Sequence, residues 1–328
     1  MLLLNRDDIK KVFTMKDSIE AVKKAFMLYS EGKSEVPLRT NIQVPKNNGT
    51  LLFMPAFVDE LDTSSLKIVN IYPDNVKKNL PTAPAQVLLI DTKTGLVDAV
   101  LDGTYVTQLR TGAASGAAFE ALARKDAKIG ALIGTGGQAA TQLEAMLCAR
   151  PLEQVKIFDL DPVRLNAFVE KMREELKDYG AELIAAKSSD DAVCDADILV
   201  TMTPSTKPVF DATKCKAGIT VSCVGAYQHH MQEMDPVILE RASKIYFDSK
   251  SAVLSESGDI LIPLEEGRIT EDDFTGELGD VLAGRLVGRE NDEEIIVFET
   301  VGIGTQDLMA AKGIYDKAVA ANVGQTWD

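Results

Sequence analysis

A glycine turn set between an apolar strand and a helix constrains this chain more than any other feature. The run Gly130-Ala131-Leu132-Ile133-Gly134-Thr135-Gly136-Gly137-Gln138-Ala139 spells GxGxxA. Ile129–Ile133 reads as a strand, and a helix follows through about Ala149. In such a turn Gly134 permits the tight reversal and Gly136 lets a diphosphate approach the backbone. Ala139 permits close contact between helix and strand. The helix start, with Thr135 and Gln138 beside it, offers unpaired N–H groups and a positive dipole end to phosphate. Asp159 closes the next strand, Val155–Asp159, about 20 residues further on, where a dinucleotide site needs an acid.

The surrounding pattern agrees. Helices are expected over Gly112–Lys125 and Val163–Tyr179. Strands are expected at Glu182–Ala186, Ile198–Met202, Thr220–Val224 and Lys244–Asp248. Several are continuous apolar runs, as when helices cover both faces of a parallel sheet. The fold class predicted is α/β: a doubly wound Rossmann sheet over 113–304 that binds NAD. The region 1–112 reads differently. Residues 7–31 have helical spacing. Arg39–Val44, Thr50–Pro55, Ser65–Ile71 and Ala85–Asp91 are short β-like runs punctuated by Pro55, Pro73, Asn75, Pro81, Pro84 and Gly95. This predicts a mixed α+β domain for substrate binding and dimerisation, joined by a C-terminal helix within 305–328.

Asp159 selects the cofactor. A carboxylate at that strand end accepts hydrogen bonds from a ribose 2′-hydroxyl and repels a 2′-phosphate. Residues 160–163 contain no Arg or Lys, and Arg164 falls on the following helix. NAD(H) is therefore expected over NADP(H), with Asp161 the alternative ribose acid should Asp159 serve as a helix cap.

Composition removes other classes. The formal net charge is −15, which disfavours nucleic-acid binding, because phosphate surfaces need clustered Lys and Arg. No apolar run reaches the roughly 18–20 residues of a membrane span. The opening Met1–Asp8 turns acidic too soon for a secretory signal, so a cytoplasmic protein is expected. Cys148, Cys194, Cys215 and Cys223 show no CxxC spacing, and a disulfide framework or metal site is not expected. The two histidines, His229 and His230, are adjacent, so His-based chemistry is confined to one place.

Outside the glycine-turn region, Arg39, Lys67 and Arg110 are the informative charges. Lys67 interrupts the apolar Leu66-Lys67-Ile68-Val69, and Arg110 sits just before Thr111 and a helix. Arginine suits either a cofactor phosphate or a substrate carboxylate through its bidentate fork. A lone lysine in a strand more often faces solvent.

The chain resembles the ornithine cyclodeaminase/mu-crystallin family along nearly its full length. The resemblance rests on Val36-Pro37-Leu38-Arg39, Phe53-Met54-Pro55-Ala56, Leu66–Asn75, Leu101-Asp102-Gly103 and Leu109–Ser115. It also rests on Ile133–Gly136, Thr201–Ser205, Ser257-Gly258-Asp259 and Val301–Asp307. It implies a homodimer built through the non-Rossmann domain. It implies that Arg39, Lys67 and Arg110, with Met54, bind a substrate carboxylate beside the nicotinamide. Thr111, Thr203, Pro204, Val224 and Gly225 join the expected cofactor residues. Two positions depart from the cyclodeaminase pattern. Leu52 stands where those enzymes carry an acid, and Tyr227 stands where they carry an Asp.

The expected function is an NAD-dependent oxidoreductase, an enzyme interconverting a small α-amino acid and its imine or keto acid. Lys67 is the first candidate for proton transfer, and Tyr227, His229 or His230 are candidates to stand in for the missing Asp. The alternatives are an ornithine cyclodeaminase, which consumes no net NAD, and a non-enzymatic mu-crystallin-like ligand binder.

Overall fold

The computed structural model describes residues 1–78 and 80–327. In chain order the first elements are β1 (Leu2–Leu4), α1 (Arg6–Val12), α2 (Met15–Ser30), β2 (Ser34–Glu35) and β3 (Thr40–Val44). Next come β4 (Gly49–Val58), β5 (Thr63–Ile71), β6 (Ala85–Asp91), β7 (Val97–Asp102) and α3 (Gly103–Leu122). The middle holds β8 (Ile129–Ile133), α4 (Ala139–Ala149), β9 (Gln154–Phe158), α5 (Pro162–Glu175), β10 (Glu182–Ala185), α6 (Ser189–Val193), β11 (Ile198–Thr201) and β12 (Thr220–Cys223). The remainder is α7 (Val237–Arg241), β13 (Lys244–Phe247), α8 (Lys250–Glu256), α9 (Gly258–Glu265), β14 (Gly276–Glu277), α10 (Leu278–Leu282), β15 (Ile296–Glu299), α11 (Gly304–Ala321) and β16 (Gln325–Thr326). None of the helices is long and apolar enough to cross a membrane, among the described residues.

Two compact units result: Met1–Arg110 with Ile303–Asp328, and Thr111–Gly302. The first unit is built on an eight-stranded mixed sheet, ordered β16-β1-β7-β6-β5-β4-β2 with β3 added on β4. Its central hairpins are antiparallel, and β1 runs parallel to β7. Alternate residues of β4, β5 and β6 are buried, including Met54, Lys67 and Val87, which lie opposite one another in register. α11 packs against these three strands. The single helical stretch expected over 7–31 is two helices. Thr14 closes a capping box with Asp17 and so begins a new helix where periodicity alone sees continuity.

The second unit holds eight parallel strands in the order β10-β9-β8-β11-β12-β15-β13-β14. The chain leaves β8 toward β9 and β10, then returns to β11 on the other side. That reversal opens a crevice beyond the carboxyl ends of β8 and β11, where ligands bind in folds of this kind. The helix expected to start at Gly112 starts at Gly103 instead. Gly103 is there because an added Cβ would lie 2.6 Å from the backbone of Gln86, so the glycine reflects close approach and not a break. β7 and β15 have no counterpart in the sequence reading.

Candidate active site

The glycine turn has the shape of a diphosphate cradle. Gly134 has φ +103°, a conformation that L side chains rarely adopt. An added Cβ there would meet Thr203 Cγ2 at 3.1 Å. A Cβ on Gly136 meets nothing within 4 Å, so the backbone is open to an approaching group. Gln138 precedes α4 without a side-chain capping bond. The first-turn N–H groups of that helix thus have no side-chain acceptor, which is the condition for anion binding. Ala139 is fully buried. The donor set fits a dinucleotide.

Asp159 follows β9 and is bound to this turn. Its Oδ2 accepts from the Thr135 N–H at 2.9 Å and from the Thr135 hydroxyl at 2.6 Å. Its Oδ1 accepts from the Asp161 N–H and from Arg164 Nη2, the latter at 2.6 Å. Burial raises the carboxyl, but the Arg164 and Thr135 bonds outweigh it and hold the group down at about 2. Arg164, set aside in the sequence reading because it lies on the helix, reaches back to the strand end. Asp161 is the helix cap, accepting from the Val163 and Arg164 N–H groups.

The first unit sets two of the predicted cations, Lys67 and Arg110, on an acid that the sequence reading did not single out. Lys67 Nζ lies 2.6 Å from Asp307 Oδ2, and Arg110 Nε donates to Asp307 Oδ1 at 3.1 Å. Lys67 is 1% exposed and Asp307 0%. α11 carries Asp307 this close because its first residue is Gly304, where a Cβ would stand 2.8 Å from the Pro55 carbonyl. Burial pulls the lysine down and the Arg110 charge pulls it further. Asp307 opposes both, Arg39 adds to the fall, and the amine settles at about 7. The result is a lysine that exchanges a proton near neutrality, with the charges of Arg110 and Arg39, both suited to a carboxylate, near enough to act on it. Leu52 packs with Met54, Val69 and Ala85 in an apolar cluster beside this face.

The remaining predicted residues lie in the second unit. The Thr111 carbonyl accepts from Gln142 Nε2. Thr203 and exposed Pro204 follow β11, and Val224 and Gly225 follow β12. Tyr227 is half-buried in the same loop, and burial raises its phenol. His229 is exposed, with Nε2 at 2.8 Å from Glu265.

Sequence reasoning gave a role to Asp159 but to none of four other buried acids of this unit. Glu233, Asp248, Asp259 and Glu299 are all 0% exposed. Asp248 accepts from the Thr300 hydroxyl and the Val301 and Gly302 N–H groups. A carboxylate oxygen from each of Asp259 and Glu299 lies within 4.8 Å of Cys223 Sγ and of the other. The available signal was weak: acids in apolar surroundings, such as Asp259 ahead of Ile260-Leu261-Ile262.

A doubly wound sheet with an open glycine turn and a partner unit carrying a buried Lys–Asp–Arg cluster defines a dinucleotide-binding α/β protein. The chain belongs to the ornithine cyclodeaminase/mu-crystallin family, whose profile matches residues 1–322. It is 35% identical over 325 residues to a Δ1-pyrroline-2-carboxylate reductase of Bacillus cereus, covering 99% of each chain. Its structure matches Thermococcus litoralis Δ1-pyrroline-2-carboxylate reductase, solved with NADH and L-proline, with TM-score 0.95 and 41% identity over 100% of both chains. An archaeal alanine dehydrogenase dimer with bound NAD matches with TM-score 0.90 and 35% identity, over 100% of this chain and 99% of that one.

Proposed function

We propose that this chain, an NAD-dependent oxidoreductase acting on CH–NH groups, reduces a small α-imino acid, with Δ1-pyrroline-2-carboxylate as substrate and L-proline as product. The observation that carries the reading is the buried Lys67 beside Arg110 and Asp307. An α-imino acid brings a carboxylate next to a C=N bond. Reduction needs a cationic hold on the first and a proton for the nitrogen of the second. Arg39 and Arg110 supply the hold, and Lys67, poised at about 7, supplies the proton. Met54 and Leu52 give the apolar wall for a substrate without a second amino group. Leu52 and Tyr227, in place of acids, disfavour ornithine cyclisation.

When bound, NADH would supply the hydride chemistry that imine reduction needs. Gly134, Gly136 and the start of α4 would hold its diphosphate, with Thr135, Gln138 and Ala139 shaping the turn. Asp159 favours NAD(H) over NADP(H), because its carboxylate, ionised down to about 2, engages Arg164, the cation an added phosphate would need. Tyr227 and His229 are kept as proposed proton-handling residues of the loop after β12. A homodimer is supported by the dimeric archaeal relative and by exposed Leu38, Ile42 and Val76 on the first unit. Light scattering at one chain mass of 35.5 kDa instead of two would refute it.

The deciding experiment follows NADH and NADPH absorbance with pyrroline-2-carboxylate, pyruvate plus ammonia, iminosuccinate and ornithine. Pyrroline-2-carboxylate with NADH is expected to give the highest kcat/KM. Lys67→Ala should lower it by roughly 10³-fold while NADH binding stays near normal. Faster turnover of pyruvate plus ammonia, or an unaffected variant, would reject the assignment.

A further inference from the structure

The loops after β11 and β12 are joined by one buried carboxylate. The two strands are parallel neighbours, with Thr201 opposite Cys223. Beyond them, Glu233 Oε2 accepts from both the N–H and the hydroxyl of Thr203, at 2.5 and 2.8 Å. Its Oε1 accepts from the Gly225 N–H at 2.7 Å and the Val224 N–H at 3.3 Å. A Cβ on Gly225 would stand 2.3 Å from the Thr203 carbonyl and 2.8 Å from Glu233 Oε1, so only glycine lets the loops close on the acid. Glu233 is held in turn. Asp259 Oδ1 accepts from the Glu233 and Met234 N–H groups, each at 2.8 Å.

We infer that Glu233 is a positioning residue for the dinucleotide, fixing the Thr203 and Gly225 loops at the carboxyl ends of β11 and β12 before the cofactor arrives. This rests on the reading of the second unit as the cofactor-binding one. In a doubly wound sheet the adenosine half lies toward β9, where Asp159 stands. The dinucleotide then extends across the reversal point toward the strands on the other side. Those strands are β11 and β12. Glu233 is fully buried and both its oxygens are taken by donors, so it acts through the loops and not on a reacting atom. Charge-assisted bonds to N–H and O–H groups are strong and directional. Loops already ordered by them do not draw their ordering entropy from binding energy.

Glu233→Gln keeps the shape but turns an amide NH₂ toward one loop's donors, which breaks the bridge on that side. The dissociation constant for NADH, read by fluorescence titration, is expected to rise roughly 10- to 100-fold. kcat at saturating NADH should change less than about threefold, since the chemical groups are untouched. Ile238→Ala, in the buried apolar core of the same unit, controls for lost stability: it should lower Tm without moving NADH affinity. Hydrogen exchange of the unaltered protein tests the same point should the variant fail to fold. Peptides carrying the Thr203 and Gly225 amides are expected to be protected before NADH is added. NADH affinity of Glu233→Gln within twofold of the unaltered protein overturns the inference. So does free exchange at those amides that slows only with NADH. An unaltered protein that binds no NADH overturns the cofactor reading as well, which separates the two failures.

Discussion

Both units bury ionisable side chains, but they neutralise them differently. In the first, Asp307 stands between Lys67 and Arg110, and opposite charges compensate directly. In the second, Glu233, Asp259 and Glu299 lie among one another with backbone N–H and hydroxyl donors as partners. Burial drives the Asp259 and Glu299 carboxyls well above their usual range, and the neighbouring acids push them further. Asp259 Oδ2 and Glu299 Oε2 have no hydrogen-bond partner among the described residues. Protons, not cations, must therefore settle the charge there. Mixed charges give a centre whose lysine titrates near neutrality. Like charges give a centre in which Asp259 and Glu299 hold their protons, beside a Glu233 whose oxygens face only donors.

The sharpest way to break this contrast is to remove Asp307. Asp307→Ala leaves Lys67 and Arg110 buried without a counter-charge, and the first unit should lose about 3–5 kcal/mol in urea unfolding. Wild-type stability would show that the cluster is not compensating. The next effect is on pH. Lys67 is protonated below about 7, so kcat/KM for imine reduction should fall about tenfold per unit above that value. Asp307 holds the lysine up, so Asp307→Asn should move the midpoint to lower pH, while Asp259→Asn should leave it in place. A midpoint that Asp307→Asn does not move would detach the profile from Lys67. The smallest effect falls on the acid cluster itself. Asp259→Asn mimics a protonated acid, keeps an oxygen for the two N–H donors, and should change stability by less than about 1 kcal/mol near pH 4. The unfolded acid ionises near 3.8 while the folded one stays protonated. The native pair thus loses stability as pH rises above that value. The variant should lose less; an equal pH slope would remove Asp259 from the account.

What the sequence revealed followed the range of the interactions. The glycine turn was legible because its parts lie within ten residues and each has a local backbone reason, such as the positive φ of Gly134. The parallel second unit was legible because continuous apolar strands alternate with helices. The Arg164–Asp159 pair was misread because a side chain in the first turn of a helix can reach back to the preceding strand. Asp307 was hidden for a different reason. It lies 197 positions from Arg110, and only the return of α11 to the first sheet brings them together. Glu233, Asp248 and Glu299 stayed hidden because no local rule tells a buried carboxylate from a solvated one.

The position of Asp307 also bears on how the chain is assembled. The second unit is inserted between Arg110 and Ile303, so it is synthesised whole before α11 emerges. During that interval the strand carrying Lys67 has no acid to receive its amine, and the buried face of the first sheet lacks the helix that covers it. Domains fold largely as units during synthesis. The inserted unit is thus expected to mature first, and the first unit stays an open, aggregation-prone sheet until the last helix docks. Translation that stalls ahead of Gly304 would release a folded nucleotide-binding body tethered to an unfinished one.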